Sequence, residues 1–386
     1  MDKNDRESIN RLIALNRSFA IWREPNESII HFIMQSEKTP LRSTHDLSEF
    51  DQMEGFIIVP FDLVKNTAVI IQSDCTQSSR SKSQLITKAI NTSDDIGSSQ
   101  SETLFQSKTE AIRKDTLEES FSDFTSTFKS VKQSLKQGID KIVLAHQSIY
   151  HRPTLFSPAE AFLKACEQHP SAYVHLSNTP ITGAWIGATP ELLLARKEGS
   201  SDYHTMALAG TQLISSHDNI EEWIKHPISL HWDAKNVREQ KIVSRFISEK
   251  LSNYRGIESL NQMNPRTIKA GHLAHLQTRF NFRLPDNSSL GGLAMTLHPT
   301  PAVCGMPQES ANEAIKKAEK IDRGYYAGFL GYKGATSCRF MVNLRCMNIR
   351  NEDIILWAGA GILPSSKLEN EFREIELKKQ IMKQLL

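Results

Sequence analysis

The amino-acid sequence predicts an α+β fold, in which strands and helices form separate groups along the chain. Short stretches rich in β-branched and aromatic residues follow one another directly, and amphipathic stretches with helical spacing stand between these groups. The two kinds of element do not alternate strictly, which argues against βαβ units and a parallel sheet. With 386 residues, 39% of them hydrophobic, the chain can form one large or two ordinary domains.

The N-terminal region predicts one helix, two strands and a long polar segment. The apolar side of the helix carries Ile9, Leu12, Ile13 and Leu15. Residues 28–37 and 56–62 are short, β-branched or aromatic stretches and are predicted to be strands. Residues 73–108 are rich in Ser, Thr and Gln and contain few large apolar groups. This composition predicts long, mobile polar loops with one short ordered element at most.

Helices are predicted again after residue 110, at stretches 116–138, 157–170 and 232–254 and from Ser366 onward. In the second of these stretches, Ser157 is the expected N-cap, Pro158 occupies the first helical position and Glu160 completes a capping box. In the last, Ser366 and Glu369 have the same Ser-x-x-Glu spacing. Strands are predicted at 140–150, 172–178, 181–199 and 203–212, and as a pair within 341–362 that turns at 351–353.

The last helix places charged residues along the border of its apolar stripe. Leu368, Phe372 and Ile375 form the stripe, and Glu371, Glu374 and Lys378 lie beside it at spacings i, i+3 and i+7. Such a border is usually an amphipathic rim in water, because charged residues are rarely buried without a partner. Spacing alone also allows a second interpretation, in which the two carboxylates hold a metal ion.

Charge and cysteine content exclude several classes of protein. Lys and Arg number 46 and Asp and Glu number 44, so the net charge of +2 gives no reason to expect nucleic acid as a partner. Five scattered cysteines without a CxxC pair fit a reducing compartment. The charged N-terminus lacks the apolar region of a signal peptide, and no apolar run reaches eighteen residues. We therefore expect a cytoplasmic protein that does not span a membrane.

Two titratable residues stand in apolar surroundings. Glu191 lies between Pro190 and three leucines, so its carboxyl group is expected to have a raised pKa and could donate a proton. Lys141 begins an apolar strand, and a partly desolvated lysine can lose its proton and act as a base. Taken singly, each is more often an ordinary solvated residue at a strand end.

Two further features of the sequence indicate a binding site only when they are considered together. In "WAGAGILP" (residues 357–364), two glycines and an alanine after a strand could let backbone N–H groups approach an anion. Glu239 and the pair Glu371 and Glu374 lie on separate predicted helices. Because Mg²⁺ usually takes only one or two carboxylates plus waters and substrate oxygens, two acids from distant helices would suffice. P-loop, HExxH, GxSxG and dinucleotide-binding motifs are absent from the sequence.

The order of these motifs resembles the chorismate-utilising enzymes, which include isochorismate synthase, salicylate synthase, anthranilate synthase component I and aminodeoxychorismate synthase component I. The resemblance covers about residues 138–386 and rests on the blocks "KIVLA", "GATPELLL", "ALAGT", "KNVREQKIV", "LHPTPAVCGMP", "DRGYYAGFLGY", "NLRC" and "WAGAGILPSS…NEFREIELK". It implies an anthranilate synthase component I-like fold: large antiparallel sheets packed together and flanked by helices. It also implies a chorismate-binding catalytic core over 111–386, a variable N-terminal part over 1–110 packed on the same fold, and one structural domain overall.

The resemblance also implies roles for individual residues. Glu239 and Glu374 match the acids that bind Mg²⁺, and Glu371 matches an acid that supports the metal through water. Cationic groups that bind substrate carboxylates correspond to Arg345 and Lys378. The remaining residues expected to bind substrate are Ala209, Gly210, Thr211, His298, Ala302, Gly359, Ala360 and Gly361. Positions that depart from the family pattern are Asn236, His146 and Gly324.

Three positions favour an isochorismate synthase among these enzymes. Lys141 stands where the ammonia-using members have Gln, so it points to water as the nucleophile. Ala209 stands where aminodeoxychorismate synthases often carry a covalent lysine. Ala302 stands where members that eliminate pyruvate tend to have Thr. An isomerase (hydroxymutase) that serves menaquinone or siderophore biosynthesis and needs no glutaminase subunit fits these positions best.

The expected reaction assigns one role to each of two side chains. Lys141 would take a proton from water as it attacks C2 of chorismate, and Glu191 would protonate the departing C4 hydroxyl from the other side of the ring. The alternatives are a salicylate synthase, an anthranilate or aminodeoxychorismate synthase component I, and, from another class, an inactive homologue that binds chorismate or a partner protein.

Overall fold

The computed structural model describes residues 1–73, 75–79, 111–214, 220–225, 232–270, 273–285 and 288–386. The helices are α1 (Lys3–Ala14), α2 (Leu117–Leu135), α3 (Pro158–Gln168), α4 (Ile220–Lys225), α5 (Ala234–Ser252), α6 (Leu290–Leu297), α7 (Gln308–Ala318) and α8 (Leu368–Lys383), with a 3₁₀ turn at Leu47–Phe50. The strands are β1 (Phe19–Arg23), β2 (Ile30–Met34), β3 (Arg42–Thr44), β4 (Gly55–Val59), β5 (Ala68–Ile71), β6 (Cys75–Ser79), β7 (Lys141–His151), β8 (Tyr173–Asn178), β9 (Ala184–Thr189), β10 (Leu192–Arg196), β11 (Asp202–Leu213), β12 (Ser259–Gln262), β13 (Arg266–Ala270), β14 (Leu273–Arg283), β15 (Gly305–Met306), β16 (Phe329–Lys333), β17 (Cys338–Val342), β18 (Cys346–Ile349) and β19 (Asp353–Ile362).

Within these ranges the strands form two antiparallel sheets. Sheet I has nine strands in the order β15-β7-β19-β18-β9-β8-β1-β2-β6. Sheet II has ten strands, in the order β12-β14-β11-β10-β17-β16-β4-β5-β3, with β13 also paired to β14. The predicted α+β class with large antiparallel sheets and flanking helices is confirmed.

The chain crosses from sheet I to sheet II between strands β9 and β10. Strand β9 belongs to sheet I and β10 belongs to sheet II. Only Pro190 and Glu191 connect them. Proline has no backbone N–H to add to a ladder, so it is well suited to the position where the strand leaves sheet I. The predicted strand stretch 181–199 is therefore two strands of different sheets.

Side chains alternate between two cores along the strands. In β1, Ala20 and Trp22 point into the large core shared by the sheets, where the Trp22 ring lies 5.2 Å from that of Phe56 in sheet II. Phe19 and Ile21 point the other way, into a second core with helices α1 and α3 and the end of α8. Sheet I is thus covered on both faces, and sheet II lies against one of them.

The first 110 residues contribute strands to both sheets. Strand β1 pairs with β2 and β8 in sheet I, and β4 pairs with β5 and β16 in sheet II. Of the predicted polar segment 73–108, the short strand β6 is described, and the rest lies outside the described residues apart from residue 73. The functional division at residue 110 stays a prediction.

Several local predictions are wrong in detail. The first helix is present and ends at Ala14, so Leu15 is its C-cap, and the strand β1 that follows it was not predicted. The last helix begins at Leu368 with Lys367 as N-cap and no side-chain cap. The Ser366 hydroxyl instead accepts a hydrogen bond from the Leu363 N–H at 3.0 Å, so the predicted capping box is absent. Ser157 caps α3 by accepting from the Glu160 N–H, as predicted, and Pro158 occupies its first turn, but the Glu160 side chain does not complete the predicted capping box.

Two global properties follow from the part of the chain that the structure describes. None of its helices combines the length and apolar character needed to cross a lipid bilayer. Cys166, Cys304, Cys338 and Cys346 are free thiols.

Candidate active site

A cleft lies between the two sheets, beside the crossover from β9 to β10. One wall is formed by β7 and β19 of sheet I, through Val143, Ala145 and Gly361 among others. The opposite wall is formed by β11 and by His275 of β14 in sheet II. The cavity volume of the cleft is about 80 Å³.

Glu191 lies at the crossover and lines the cleft. Its backbone is fixed by bonds at both groups: its N–H donates to the Thr189 hydroxyl, and its carbonyl accepts from the Val342 N–H. Burial raises the pKa of the Glu191 carboxyl to about 7, although the charges of Lys141, Lys378 and Arg345 act in the opposite direction. The raised pKa expected from the sequence is therefore present.

Lys141 is fully buried and lies behind the surface of the cleft. Its Nζ atom is 2.8 Å from Oε1 of Glu239, which does line the cleft. Burial alone would raise the pKa of Glu239, but Lys141, followed by Lys235 and Lys378, outweighs burial and lowers it. Among the nearby cations, Lys141 has the largest effect on the pKa of Glu191, although of the two residues only Glu191 lines the cleft.

The glycines of β19 give Lys141 and Glu239 the space they need. A Cβ atom on Gly361 would stand 2.3 Å from Oε1 of Glu239 and 2.8 Å from Cε of Lys141. Gly359 and Gly361 lie within β19 and pair with Ala145 and Val143 of β7. The prediction that these glycines follow a strand is therefore wrong. Ala360 lies between them and is buried, and the proposed contact of these backbone groups with an anion stays a prediction.

Helix α5 is held on sheet II by two amides that flank Glu239. The Asn236 Oδ1 accepts from the Thr211 N–H at 3.0 Å, and the Gln240 Oε1 accepts from the Ala209 N–H at 2.9 Å. Between these contacts, β11 has a register shift at Gly210, whose φ is +70°. A side chain there would be strained and would crowd the backbone of Asn236. Ala209, Gly210 and Thr211 all line the cleft, as predicted.

The border residues of α8 are not a solvated rim. Glu371 is 1% exposed, and Glu374 and Lys378 are half-buried. Glu374 pairs with Lys378 at 2.7 Å, and Lys378 also donates to the Gly359 carbonyl at 2.9 Å. Lys378 lines the cleft. Glu371 and Glu374 line an adjoining surface pocket that shares Thr211 with the cleft.

Lys235 joins these acids and was not predicted to belong to the site. Its Nζ lies 2.6 Å from Oε1 of Glu371. Burial alone would lower the pKa of Lys235, but Glu371, Glu239 and Glu374 together raise it. Lys235 stands one helical turn before Glu239, and this i, i+4 spacing was a visible signal that the two share a helix face.

Arg345 and His275 form a second pair in the cleft. The guanidinium donates to Nε2 of His275 at 2.5 Å, and the other ring nitrogen lies 3.2 Å from the Gly210 carbonyl. Burial, followed by the charges of Arg345 and Lys378, holds the pKa of His275 well below its ordinary value. His275 is therefore neutral, with its proton on Nδ1. Burial lowers the pKa of Arg345 to about 10, so it stays a cation near neutral pH.

The structure does not place His298, which was predicted to lie by the substrate, at the cleft. His298 is buried outside the cleft, and its ring packs against the rings of Phe61 and Phe329. Burial lowers its pKa to about 4, and its Nε2 lies 3.3 Å from the Phe61 carbonyl. The histidine that faces the cleft is His275. Ala302, in contrast, lines the cleft as predicted.

The family model described as chorismate binding enzyme matches residues 16–386. The chain belongs to this family. The match begins well before residue 138, so the family relationship includes the N-terminal strands that the sequence motifs did not cover.

Known chorismate-binding enzymes give the scale of the similarity. The isochorismate synthase MenF of Haemophilus influenzae is 31% identical over 248 residues, which are 63% of this chain and 56% of that protein. The chain thus spans little more than half the length of this relative. The structure of the menaquinone-specific isochorismate synthase MenF from Escherichia coli covers the whole chain with a TM-score of 0.76 and 21% identity, over 91% of that protein. Anthranilate synthase component I from Streptococcus pneumoniae covers 95% of this chain and 90% of its own, with a TM-score of 0.66 and 19% identity. These structural matches confirm the predicted fold.

The acids predicted to bind Mg²⁺ are spread over the cleft, which Glu239 lines, and the adjoining pocket, which Glu371 and Glu374 line. Among the described residues, no three His, Cys, Asp or Glu side chains form a compact cluster of metal ligands. Oε2 of Glu371 is buried and makes no hydrogen bond of ordinary geometry, although the Ser366 hydroxyl lies near enough to lower the pKa of this carboxyl. Burial nevertheless raises the pKa of Glu371 overall. A buried carboxylate oxygen with incomplete hydrogen bonding can accept a hydrated divalent cation.

Proposed function

We propose that this protein is an isochorismate synthase that converts chorismate to isochorismate. The observation that carries the proposal is that Glu191, whose pKa is raised by burial, lines the cleft together with Glu239, which is paired with the buried Lys141 at 2.8 Å. A proton donor at the cleft and a potential proton acceptor directly behind its wall suit an exchange of hydroxyl groups on a ring. Membership in the chorismate-binding family supports the identity of the substrate.

The reaction assigned to these residues balances without an oxidant or reductant. Lys141 first gives up the ammonium proton that it holds in the pair with Glu239, and water then attacks C2 of chorismate and passes a proton to the amine of Lys141. The ring double bonds shift, the C4–O bond breaks, and Glu191 protonates the leaving hydroxyl so that it departs as water. Arg345 and Lys378 would hold the substrate carboxylates, which converts a chance encounter into a fixed orientation.

We include Mg²⁺ in the proposal. Glu239 and Glu374 would hold it, with Glu371 supporting it through water, and two carboxylates plus waters are a usual set of ligands for this ion. When bound, the ion supplies positive charge for a substrate carboxylate. Without it, each acid is paired with a lysine: Glu239 with Lys141, Glu371 with Lys235 and Glu374 with Lys378. The lysines near Glu239 lower its pKa overall, and an ionised carboxylate is what the metal needs.

Three residues favour the isochorismate reaction over those of other members. Lys141 suits water as a nucleophile, Ala209 excludes a covalent lysine at its position, and Ala302 leaves a small apolar wall where pyruvate elimination is expected to use Thr. The proposal therefore includes no glutaminase subunit. It also keeps the predicted cytoplasmic location, which the free cysteines support.

The decisive experiment is product analysis by chromatography. Purified protein is incubated with chorismate and Mg²⁺, with and without ammonium, and with a chelator as control. We expect isochorismate in both metal-containing samples and none with the chelator. Anthranilate, aminodeoxychorismate or salicylate as the main product would overturn the proposal in favour of another member. Lys141→Ala should lose most turnover while still binding chorismate, and an unchanged rate would refute its role.

A further inference from the structure

The strand that begins with Lys141 is covered by another strand for only two residues along one side. Strand β7 pairs with β19 from Ile142 to His151, but on its other side β15 pairs only with Lys141 and Ile142. Beyond Ile142, the outer edge of β7 has no further named strand within the described residues, and a single bridge between Arg113 and Tyr150 covers its far end. A buried strand edge needs other partners for its N–H and C=O groups, because unpaired backbone groups are costly to bury.

Two side chains supply those partners. The Val143 carbonyl accepts a hydrogen bond from Arg323 at 2.7 Å, and the Ala145 N–H donates to Oε1 of Glu319 at 2.7 Å. The Val143 N–H donates to the Cys304 carbonyl, also at 2.7 Å. Glu319 and Arg323 thus continue the ladder where β15 ends.

The two side chains are bound to each other as a rigid unit. The Arg323 guanidinium donates to both carboxylate oxygens of Glu319, through Nε at 2.8 Å and NH2 at 2.5 Å. Both side chains are less than 5% exposed. The guanidinium also donates to the Val303 carbonyl at 2.8 Å and lies over the Phe61 ring. Bidentate geometry of this kind fixes direction as well as distance.

The backbone groups held by this unit belong to the wall of the cleft. Val143, Ala145 and Val303 line the cleft, and so does Arg323 itself. Lys141 is two residues before Val143, and its side chain points to the same face of the strand. Any displacement of the Val143 backbone would therefore move the lysine against Glu239.

We infer that Glu319 and Arg323 are positioning residues: they form a clamp that sets the position of β7 and thereby of Lys141. The inference rests on the proposed function for its catalytic consequence, since Lys141 is the base in that proposal. The clamp acts through backbone atoms, and a displacement of about 1 Å at a reacting group can reduce the rate on the order of 100-fold.

The test compares Glu319→Gln and Arg323→Lys with a matched control. Each variant keeps the approximate size of the side chain but disrupts the paired hydrogen bonds between the Arg323 guanidinium and the Glu319 carboxylate. The control is Lys316→Met, which removes a 2.8 Å ion pair with Asp62 from helix α7, just before Glu319, without touching β7. For both clamp variants we expect kcat to fall by about 10-fold to 100-fold with the KM for chorismate within about twofold. The control should match the wild type.

Hydrogen exchange separates the clamp from the proposed function. Amide exchange of peptides from 141–147 should accelerate in Glu319→Gln, while peptides from β11 keep their wild-type rates. Unchanged exchange in β7 overturns the clamp, whatever the activity. Faster exchange with an unchanged kcat also overturns the inference, because the contacts would then be structural only. A raised KM with a normal kcat overturns it as well, because Arg323 would then be a substrate-binding residue. If the wild type does not convert chorismate, the proposed function fails, and the exchange experiment still decides whether the clamp holds β7.

Discussion

The Nζ atom of Lys141 lies 2.8 Å from Oε1 of Glu239, and the lysine side chain has no solvent exposure. The two partners differ in what else surrounds them. Besides Lys141, Glu239 has Lys235 and Lys378 nearby, and both lower its pKa. Lys141 has Glu239 as its carboxylate partner. Removing either partner of a buried pair leaves a charge behind, so the result depends on how well the remaining charge is compensated.

Glu239→Gln is therefore expected to destabilise the protein more than Lys141→Met. The glutamine variant leaves a buried ammonium without its carboxylate, and the free energy of unfolding should fall by about 3–5 kcal/mol. The methionine variant leaves Glu239 beside two other lysines and should lose clearly less. Urea unfolding of both variants without added metal, near neutral pH, measures the difference. Equal losses, or the reverse order, would contradict this account of the pair.

The raised pKa of Glu191 predicts how turnover depends on pH. Burial raises this pKa to about 7, and a general acid works only while it holds its proton. As pH rises through about 7, the protonated fraction falls, so kcat should fall about tenfold per pH unit above that point. A pH–rate profile under saturating chorismate checks this.

Glu191→Gln supplies the companion measurement. The amide cannot donate a proton, so turnover should fall on the order of 10²-fold or more, and the alkaline limb assigned to Glu191 should disappear. Chorismate binding, measured by calorimetry, should persist because Arg345 and Lys378 are unchanged. A variant with the wild-type rate, or with the same alkaline limb, would remove Glu191 from its role.

Two glycines of β19 should respond differently to the same substitution. In Gly361→Ala the new methyl group meets the ends of two flexible side chains, Glu239 and Lys141, which can move away. In Gly359→Ala the new methyl group meets the Leu144 carbonyl oxygen at 2.8 Å, and this backbone atom cannot move away. We expect Gly361→Ala to stay folded but lose at least about tenfold in kcat, since it displaces site residues.

Gly359→Ala should instead lower the midpoint of thermal unfolding, because crowding of a packed backbone typically costs about 1–3 kcal/mol. Circular dichroism melts of the two variants, together with their turnover, separate the effects. Full activity in Gly361→Ala would mean that the position of Glu239 does not matter for the reaction.

The sequence identified the residues whose chemistry depends on local surroundings. Glu191 stands beside proline and leucines, and its apolar neighbourhood along the chain is also its neighbourhood in space. Lys141 was recognised in the same way, but its partner Glu239 is distant in sequence, and only the resemblance brought them together. The order of strands across the two sheets could not be read from local patterns, because pairing is set by the whole fold.

The histidines show where local patterns fail. His275 and His298 both follow apolar residues, and neither has a distinctive motif. Which one reaches the cleft depends on the pairing of β14 with β11, since this places His275 opposite Thr211. The glycines of β19 show a related limit. The sequence predicted that an anion approaches the backbone here, whereas the groups that lie close to Gly361 in the structure are the side chains of Glu239 and Lys141.

The acids of α8 allow a test of metal binding that does not depend on turnover. Glu374→Gln should weaken Mg²⁺ binding by at least about tenfold, because the amide keeps the shape of the side chain but loses the charge that attracts the ion. Glu371→Gln should have a smaller effect, since this acid would contact the ion through water. Glu369→Gln is the matched control, because this exposed glutamate lies on the same helix. Calorimetric titration of each variant with Mg²⁺, without chorismate, measures the affinities directly. If all three variants bind Mg²⁺ as tightly as the wild type, the ion is held elsewhere, and the pairing of Glu374 with Lys378 serves only to fix the lysine in the cleft.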